Sequence, residues 1–178
     1  MTTVLSPRPS EVAPGRPRCS PVGALKGRTI GLRRDRFWLS WDWITDEWAR
    51  SFEADGADVV IWRAPVGKGD KEMVEGGEEY ARFLEQADVV ISGLANCGSC
   101  TLWTVHDAVG ALDGGLSTVV VSSRHFESLA RTLAARRGHG DVRVQVMPYP
   151  IEGKPESEVR QIARDHYESL LATMGAER

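Results

Sequence analysis

Five short runs rich in valine and isoleucine, RTIGLR, ADVVIWR, ADVVISG, STVVVSS and VRVQVMP, alternate with longer segments of helical pattern. This alternation constrains the fold more than anything else in the chain. The helical segments read as Ser40–Ala54, Asp70–Glu85, Ser99–Leu112, His125–Arg137 and Glu156–Thr173. A strand that is apolar throughout must be covered on both faces, and helices between successive strands supply that cover in a parallel sheet. Gly56, the Gly114–Gly115 pair and Gly138 stand where helices should end. Right-handed crossovers then predict a three-layer, doubly wound α/β domain. Its sheet is mostly parallel and five-stranded, in flavodoxin-like or Rossmann-like order.

The chain has 178 residues, enough for one such domain. Residues 1–25 carry five of the nine prolines and no apolar periodicity, so they are expected to form a flexible N-terminal segment ahead of a single domain at 26–178. Cys19 lies in that segment and is expected to have no role. The first residues, MTTVLSPRPS, lack the apolar core of a signal peptide, and no later run is long enough to span a bilayer. The expectation is a cytoplasmic protein with no membrane partner. Basic and acidic side chains number 22 and 25, for a formal net charge of −3, and the arginines are dispersed, which gives no nucleic-acid footprint.

In doubly wound sheets, ligands bind outside the carboxyl ends of the strands. Those ends are Arg33–Arg34–Asp35, Trp62–Arg63, Gly93–Cys100, Ser122–His125 and Pro148–Pro150. The middle one carries the dithiol of GLANCGSCTLWTVHDAV, where a strand passes directly into a helix. Free N–H groups and the positive dipole end of a helix stabilise a thiolate, so Cys97 is expected to be acidified there. Cys100, one turn on, is close enough to attack a species attached to Cys97 or to close a disulfide. In a reducing compartment such a pair reads as reactive rather than as a staple. Gly98 is expected to allow a tight bend, with Asn96, Ser99 and Thr101 as capping or substrate-binding groups.

Three spellings of CGSC compete. A thioredoxin-like CxxC normally follows the first strand of its domain, whereas two strand–helix units precede this one. A papain-like nucleophile needs Trp or Tyr after CGSC and distant His and Asn partners, and Thr101 stands here instead. A zinc site lacks a second close Cys/His pair. With neither GxGxxG spacing nor a Walker motif, nucleotide binding has no support. The expected cofactor list is empty, apart from an external thiol or other reductant.

The stretch ADVVISG…CGSCTLWTVHDAV resembles the signature of the UGSC family of selenoproteins and their cysteine homologues, in which selenocysteine or cysteine opens a GSCT-x-W-x-x-HDA run. LKGRTIGL, DGGLSTVVVSSRHFESLA and MPYPIEGKPESEVRQIA extend the resemblance from about Leu25 to the end. It implies that Cys97 holds the selenocysteine position, and that Cys100, Thr101, Trp103, His106 and Asp107 match the rest of the motif. A position that accepts selenium implies redox or nucleophilic chalcogen chemistry. This chain departs from the family pattern in RRDRFWLSWDW, in Ala95–Asn96 before the chalcogen position, and in Tyr149 between two prolines.

Helical geometry bears on the HDA part of the motif. At ~100° and ~1.5 Å per residue, His106 lies about 9 Å along the axis from Cys100 and on another face, and Asp107 is two turns down. Neither is expected to reach a thiol within one helix, and a subunit-facing role competes with a catalytic one. His125, after the fourth strand, is better placed as a general acid or base. Ser122 and Ser123 are read as helix caps or substrate ligands, and Tyr149 as a substrate contact. Arg33, Arg34 and Arg36 are read either as a fork for an anionic substrate or as a solvated run. Trp41, Trp48 and Phe52 fall at core spacing, whereas Trp38 and Trp43 fall off that stripe and would line a pocket or a dimer contact. His139 and His166 read as inert.

The leading expectation is therefore a thiol-dependent enzyme acting on a small anionic or aromatic-bearing molecule, with Cys97 as nucleophile and Cys100 as resolving thiol. The competing readings are a hydrolase or lyase with His125 as base, and a non-catalytic subunit of a related partner. A homodimer is the base-rate expectation for association.

Overall fold

All five Val/Ile-rich runs become strands of one parallel sheet. In a computed structural model, which describes residues 19–65 and 70–178 (backbone only for 70–75), the elements run β1 Gly23–Ala24, β2 Thr29–Arg34, α1 Leu39–Ala54, β3 Asp58–Arg63, α2 Asp70–Gln86, β4 Val89–Ala95 and α3 Gly98–Asp113. They continue as β5 Ser117–Ser123, a 3₁₀ turn Arg124–Phe126, α4 Glu127–Arg136, β6 Arg143–Met147, α5 Glu156–Asp165, α6 Tyr167–Met174 and β7 Ala176–Glu177. The main sheet has the order β3-β2-β4-β5-β6, and each neighbouring pair is parallel. Counted over its own five strands, that is the flavodoxin-like order 2-1-3-4-5.

The two-residue period of the strands explains why they must be apolar throughout. Val89 and Ile91 of β4, with Val119 and Val121 of β5, face a core formed with Trp41, Ile44, Trp48 and Phe52 of α1, Val159 of α5 and Leu170 of α6. Val90 and Val120 face the other side, where α2, α3 and α4 supply Phe83, Val105, Ala108 and Ala130. The central strand β4 is buried at every position. Trp41 and Trp48 meet edge to face with ring centroids 5.7 Å apart.

Four expectations change. Residues 19–25 belong to the packed domain: Leu25 is fully buried, Val22 N–H bonds to the Met174 carbonyl, and β1 pairs in parallel with β7. Cys19 is part of this seam and donates its Sγ–H to the Thr118 carbonyl at 3.1 Å. Residues 1–18 of the expected lead-in lie outside the described residues. The fifth helix is two helices that meet at His166, whose Nδ1 donates to the Ile162 carbonyl at 2.9 Å. Trp38 and Trp43 are half-buried and pack against the core, each keeping part of its surface exposed. Finally, His139 is buried with its Nε2 2.9 Å from Asp113 Oδ1, so it ties the loop after α4 to the end of α3. Among the described residues no helix is long and apolar enough to cross a membrane.

Candidate functional site

The carboxyl end of β4 does not run straight. Its pairing with β5 shifts between Ser92 and Ala95, where three steps along β4 oppose two along β5 (Ser92 pairs with Val120, Ala95 with Ser122). Such a bulge re-aims the end of a strand. Two charged residues at the end of neighbouring β2 hold it. Arg33 Nη1 donates to the Gly93 carbonyl at 2.9 Å, and Asp35 Oδ2 accepts the Leu94 N–H at 3.3 Å. Asp35 Oδ1 also accepts the N–H groups of Phe37 and Trp38, so one carboxylate fixes both the bulge and the start of α1. Burial pushes the Asp35 carboxyl above the ordinary aspartate value, and these N–H bonds and the Arg33 guanidinium only partly offset it. Trp41 closes the arrangement: its Nε1–H donates to the Arg33 carbonyl at 3.1 Å, and its ring lies so close to Gly93 that a Cβ there would come within 2.4 Å of Cζ2.

Immediately beyond the bulge, Asn96 and Cys97 make the turn into α3. Cys97 is the N-cap residue in extended conformation, and its Sγ accepts the Cys100 N–H at 3.0 Å. Cys97 and Cys100 are joined as a disulfide with Cα atoms 5.1 Å apart. Cys97 is half-buried, whereas Cys100 is 8% exposed, so the first cysteine is the more accessible of the pair. Ser99 Oγ lies 3.5 Å from Cys97 Sγ, and Thr101 Oγ1 donates to the Cys97 carbonyl at 2.5 Å. Below the turn, Ser122 and Ser123 each donate to the Ala95 carbonyl at 3.4 Å. Asn96 is buried, and its Oδ1 has no partner among the described residues.

Several expected roles are corrected by this placement. Gly98 is the first residue of α3, exposed, with nothing within 4 Å of an added Cβ, so no tight bend depends on it. Its small size instead leaves the backbone beside Cys97 open. Ser122 and Ser123 are fully buried supports of the strand end, not helix caps, and Ser123 makes no side-chain cap bond. Arg33 is 3% exposed and bonded to Asp107 Oδ2 through Nε at 2.8 Å. Arg34 points to the other face of the sheet, where Nη2 meets Asp46 at 2.6 Å. Both arginines are thus committed to carboxylates, because central-strand positions face packed helices and a charge there must be paired.

The remaining candidates divide into two groups. His125 follows β5 and Tyr149 follows β6; both are exposed, and their rings meet at a tilt of 34° with centroids 4.1 Å apart. No hydrogen bond joins His125 to either sulfur among the described residues. His106 and Trp103 are exposed on α3, with ring centroids 5.8 Å apart, and neither touches the dithiol, in line with the helical geometry. Asp107 turns inward to Arg33, and its carbonyl accepts the Tyr80 hydroxyl at 2.6 Å. Burial, and after it the nearby Asp107 carboxylate, raise the Tyr80 phenol well above its ordinary value and keep it protonated. Sequence reasoning missed Asp35, Trp41 and Gly93 as holders of the site. A glycine inside an otherwise branched strand was the available signal for the bulge.

Among the described residues, no group of three or more His, Cys, Asp or Glu side chains is arranged to hold a metal ion. A cavity of about 240 Å³ opens between edge strand β3 and α2, lined by residues such as Ile61, Trp62 and Phe83, and holds none of the chemistry-bearing side chains described above.

Comparison with known proteins adds the following. Solved structures with a similar chain path include the pilus assembly protein CpaE from Caulobacter crescentus CB15, at 14% identity and TM-score 0.39, with 78% of this chain and 94% of that one covered. A putative D-3-phosphoglycerate dehydrogenase from Ralstonia solanacearum matches at 14% identity and TM-score 0.37, over 85% of this chain and 45% of that one. No curated protein matches the chain in sequence. The model of the UGSC family matches residues 3–176, starting well ahead of the Leu25 boundary that the motifs alone suggested. With nearly its whole length matched, and CGSCTLWTVHDA placed at the bulged end of the central strand, this chain belongs to the UGSC family.

Proposed function

We propose that this chain is a thiol-dependent enzyme acting on a small organic molecule, with Cys97 as the attacking thiolate and Cys100 as the resolving thiol. The observation that carries the reading is the geometry of the pair. Cys97 caps α3 with its sulfur accepting the Cys100 N–H at 3.0 Å, half-exposed at the carboxyl end of the central strand, while Cys100 lies within disulfide reach of it. A hydrogen bond and a helix dipole that favour negative charge on Cys97 lower the cost of its thiolate.

The chemistry balances as a two-electron reduction. The Cys97 thiolate attacks an electrophilic sulfur of the substrate and forms a mixed disulfide, and the sulfur displaced leaves with the electron pair and takes a proton. Cys100, deprotonated, then attacks Cys97 Sγ. The Cys97–Cys100 disulfide forms, and the substrate's second sulfur leaves as a thiolate with the electron pair and takes a proton from solvent. An external dithiol restores the reduced enzyme and is itself oxidised to a disulfide. The closed pair is the resting product of that cycle. A hydrolytic or lyase outcome with His125 as base needs only Cys97, and an accessory subunit needs neither thiol.

The test uses reduced protein, 2-hydroxyethyl disulfide and intact-mass measurement. Wild type should pass to the internal disulfide, Cys100→Ser should stop at a mixed disulfide on Cys97, and Cys97→Ser should form neither. Wild type that stops at a mixed disulfide on Cys97 and never closes the internal disulfide would remove Cys100 from the chemistry and replace the redox reading with the hydrolytic one. Inertness of both cysteines in the folded protein would replace it with the accessory one.

A further inference from the structure

The charges around the dithiol leave two arginines over. At the carboxyl edge of the sheet, Arg33 is taken by Asp107, Arg34 by Asp46, and Arg63 by Asp42 and the Asp35 carbonyl. The carboxylates there are equally committed: Asp35 to backbone N–H groups, Glu127 to Arg131, and Glu152 to Ser40. Arg36 and Arg124 alone among these side chains are exposed and have no partner among the described residues. Arg36 lies two residues past the end of β2, and Arg124 one residue past the end of β5. In the sheet order, β2 and β5 are the two neighbours of β4, so an unpaired arginine follows the strand on each side of the one that leads into Cys97. With neighbouring strands about 4.8 Å apart, the two strand ends are about 10 Å apart, a gap that a small molecule can bridge.

We infer that Arg36 and Arg124 are the anion-recognition pair for the substrate of Cys97, and that this substrate is a small organic carboxylate or sulfonate whose electrophilic atom lies a few bonds from its charge. The inference rests on the reading of Cys97 as the reacting thiol. It replaces Arg33 and Arg34, whose forks are already filled, with two whose forks are open. Asn96 Oδ1, buried beside Cys97 without a donor, gives the same end of β4 an unfilled acceptor for an N–H or O–H group of the bound molecule.

The test compares alkylation of reduced full-length protein by iodoacetate, which carries the charge, with alkylation by neutral iodoacetamide. In both, the Cys97 thiolate attacks the methylene carbon and iodide leaves, and reference to free cysteine removes their difference in intrinsic reactivity. The modified cysteine is located by peptide mass, and the iodoacetate-to-iodoacetamide rate ratio is referred to that of free cysteine. At low salt the ratio for Cys97 should exceed the reference by about three- to tenfold, fall towards it as salt rises, and be lost in Arg36→Ala/Arg124→Ala. Because the ratio cancels any change in thiolate population common to both reagents, it is read whatever the iodoacetamide rate of that variant, and circular dichroism reports that it is folded. A ratio equal to the reference, or unchanged in the double variant, while iodoacetamide still reacts fast with wild type, would overturn the anion pair and leave the thiol reading standing. Free-cysteine rates for both reagents would overturn the thiol reading and the pair with it.

Discussion

Asp107 of the HDA run and Arg33 of the first main strand form a buried ion pair, Nε to Oδ2 at 2.8 Å, with side chains 14% and 3% exposed. The carboxylate that looks in sequence like part of a Cys-His-Asp triad therefore does not approach the sulfurs. It holds the arginine that in turn holds the Gly93 carbonyl, so its influence on the dithiol passes through the shape of β4.

Asp107→Ala should accordingly cost stability rather than chemistry. It removes the closer of the two carboxylates on a buried guanidinium and leaves only Asp35 at 3.8 Å, which costs about 2 kcal/mol. Urea unfolding should show a lower midpoint, and the double replacement Arg33→Met/Asp107→Leu should recover at least half of the loss. A variant of unchanged midpoint would show that the pair is not structural.

Gly93→Ala tests the other side of the bulge. The added methyl would press on the Trp41 ring, which is fully buried and bonded through its indole N–H, so neither partner can yield freely. The expected destabilisation is about 2 kcal/mol by urea unfolding. Gly98→Ala, where the added Cβ meets nothing, should change the midpoint by less than about 0.5 kcal/mol.

Glu47 fastens α1 to α5 through Arg160 and Arg164, each at 3.1 Å. Burial raises its carboxyl, but the hydrogen bonds from Arg164 and Arg160 outweigh that and leave it below the ordinary glutamate value. A group whose folded-state value is depressed stabilises the fold above its unfolded value, and that contribution is lost as pH falls through the folded one. Glu47→Gln should therefore lower stability by about 1 kcal/mol at pH 7. The difference between variant and wild type should shrink to nothing as the pH is taken well below the ordinary glutamate range in a denaturant titration series.

Asp35 carries the opposite sign. Its folded-state value is raised, so the folded protein holds this proton more tightly than the unfolded chain does, and stability falls as pH rises from the ordinary aspartate value through the raised one. Asp35→Asn keeps an oxygen for the Phe37 and Trp38 N–H groups and should flatten that decline in denaturant titrations across the same window.

The strands, their order and the place of the dithiol were legible because continuous Val/Ile runs allow few arrangements, and GLANCGSC joins one such run to a helix without a spacer. Other features carry no periodic signal. The β1–β7 ladder is only two residues long on each side, and the junction at His166 interrupts a pattern whose apolar spacing continues across it. Arg33 and Arg34 read as an anion fork or a solvated run because charge alone does not say whether a partner exists. Their position inside a strand with helices on both faces was the clue that Asp107 and Asp46 would be required. Gly98 was expected to be needed and Gly93 was not singled out, yet the glycine that the packing needs is the one beneath an indole, not the one beside the thiol.

The central claim, an ionised sulfur offered where the central strand meets its helix, is tested most directly by the pH–rate profile for iodoacetamide alkylation of Cys97 in reduced Cys19→Ser protein. The account predicts an inflection at least about one unit below the value of about 8.5 for free cysteine, with Cys97 modified ahead of Cys100. An inflection at about 8.5 or above, with alkylation no faster than that of free cysteine, would contradict it.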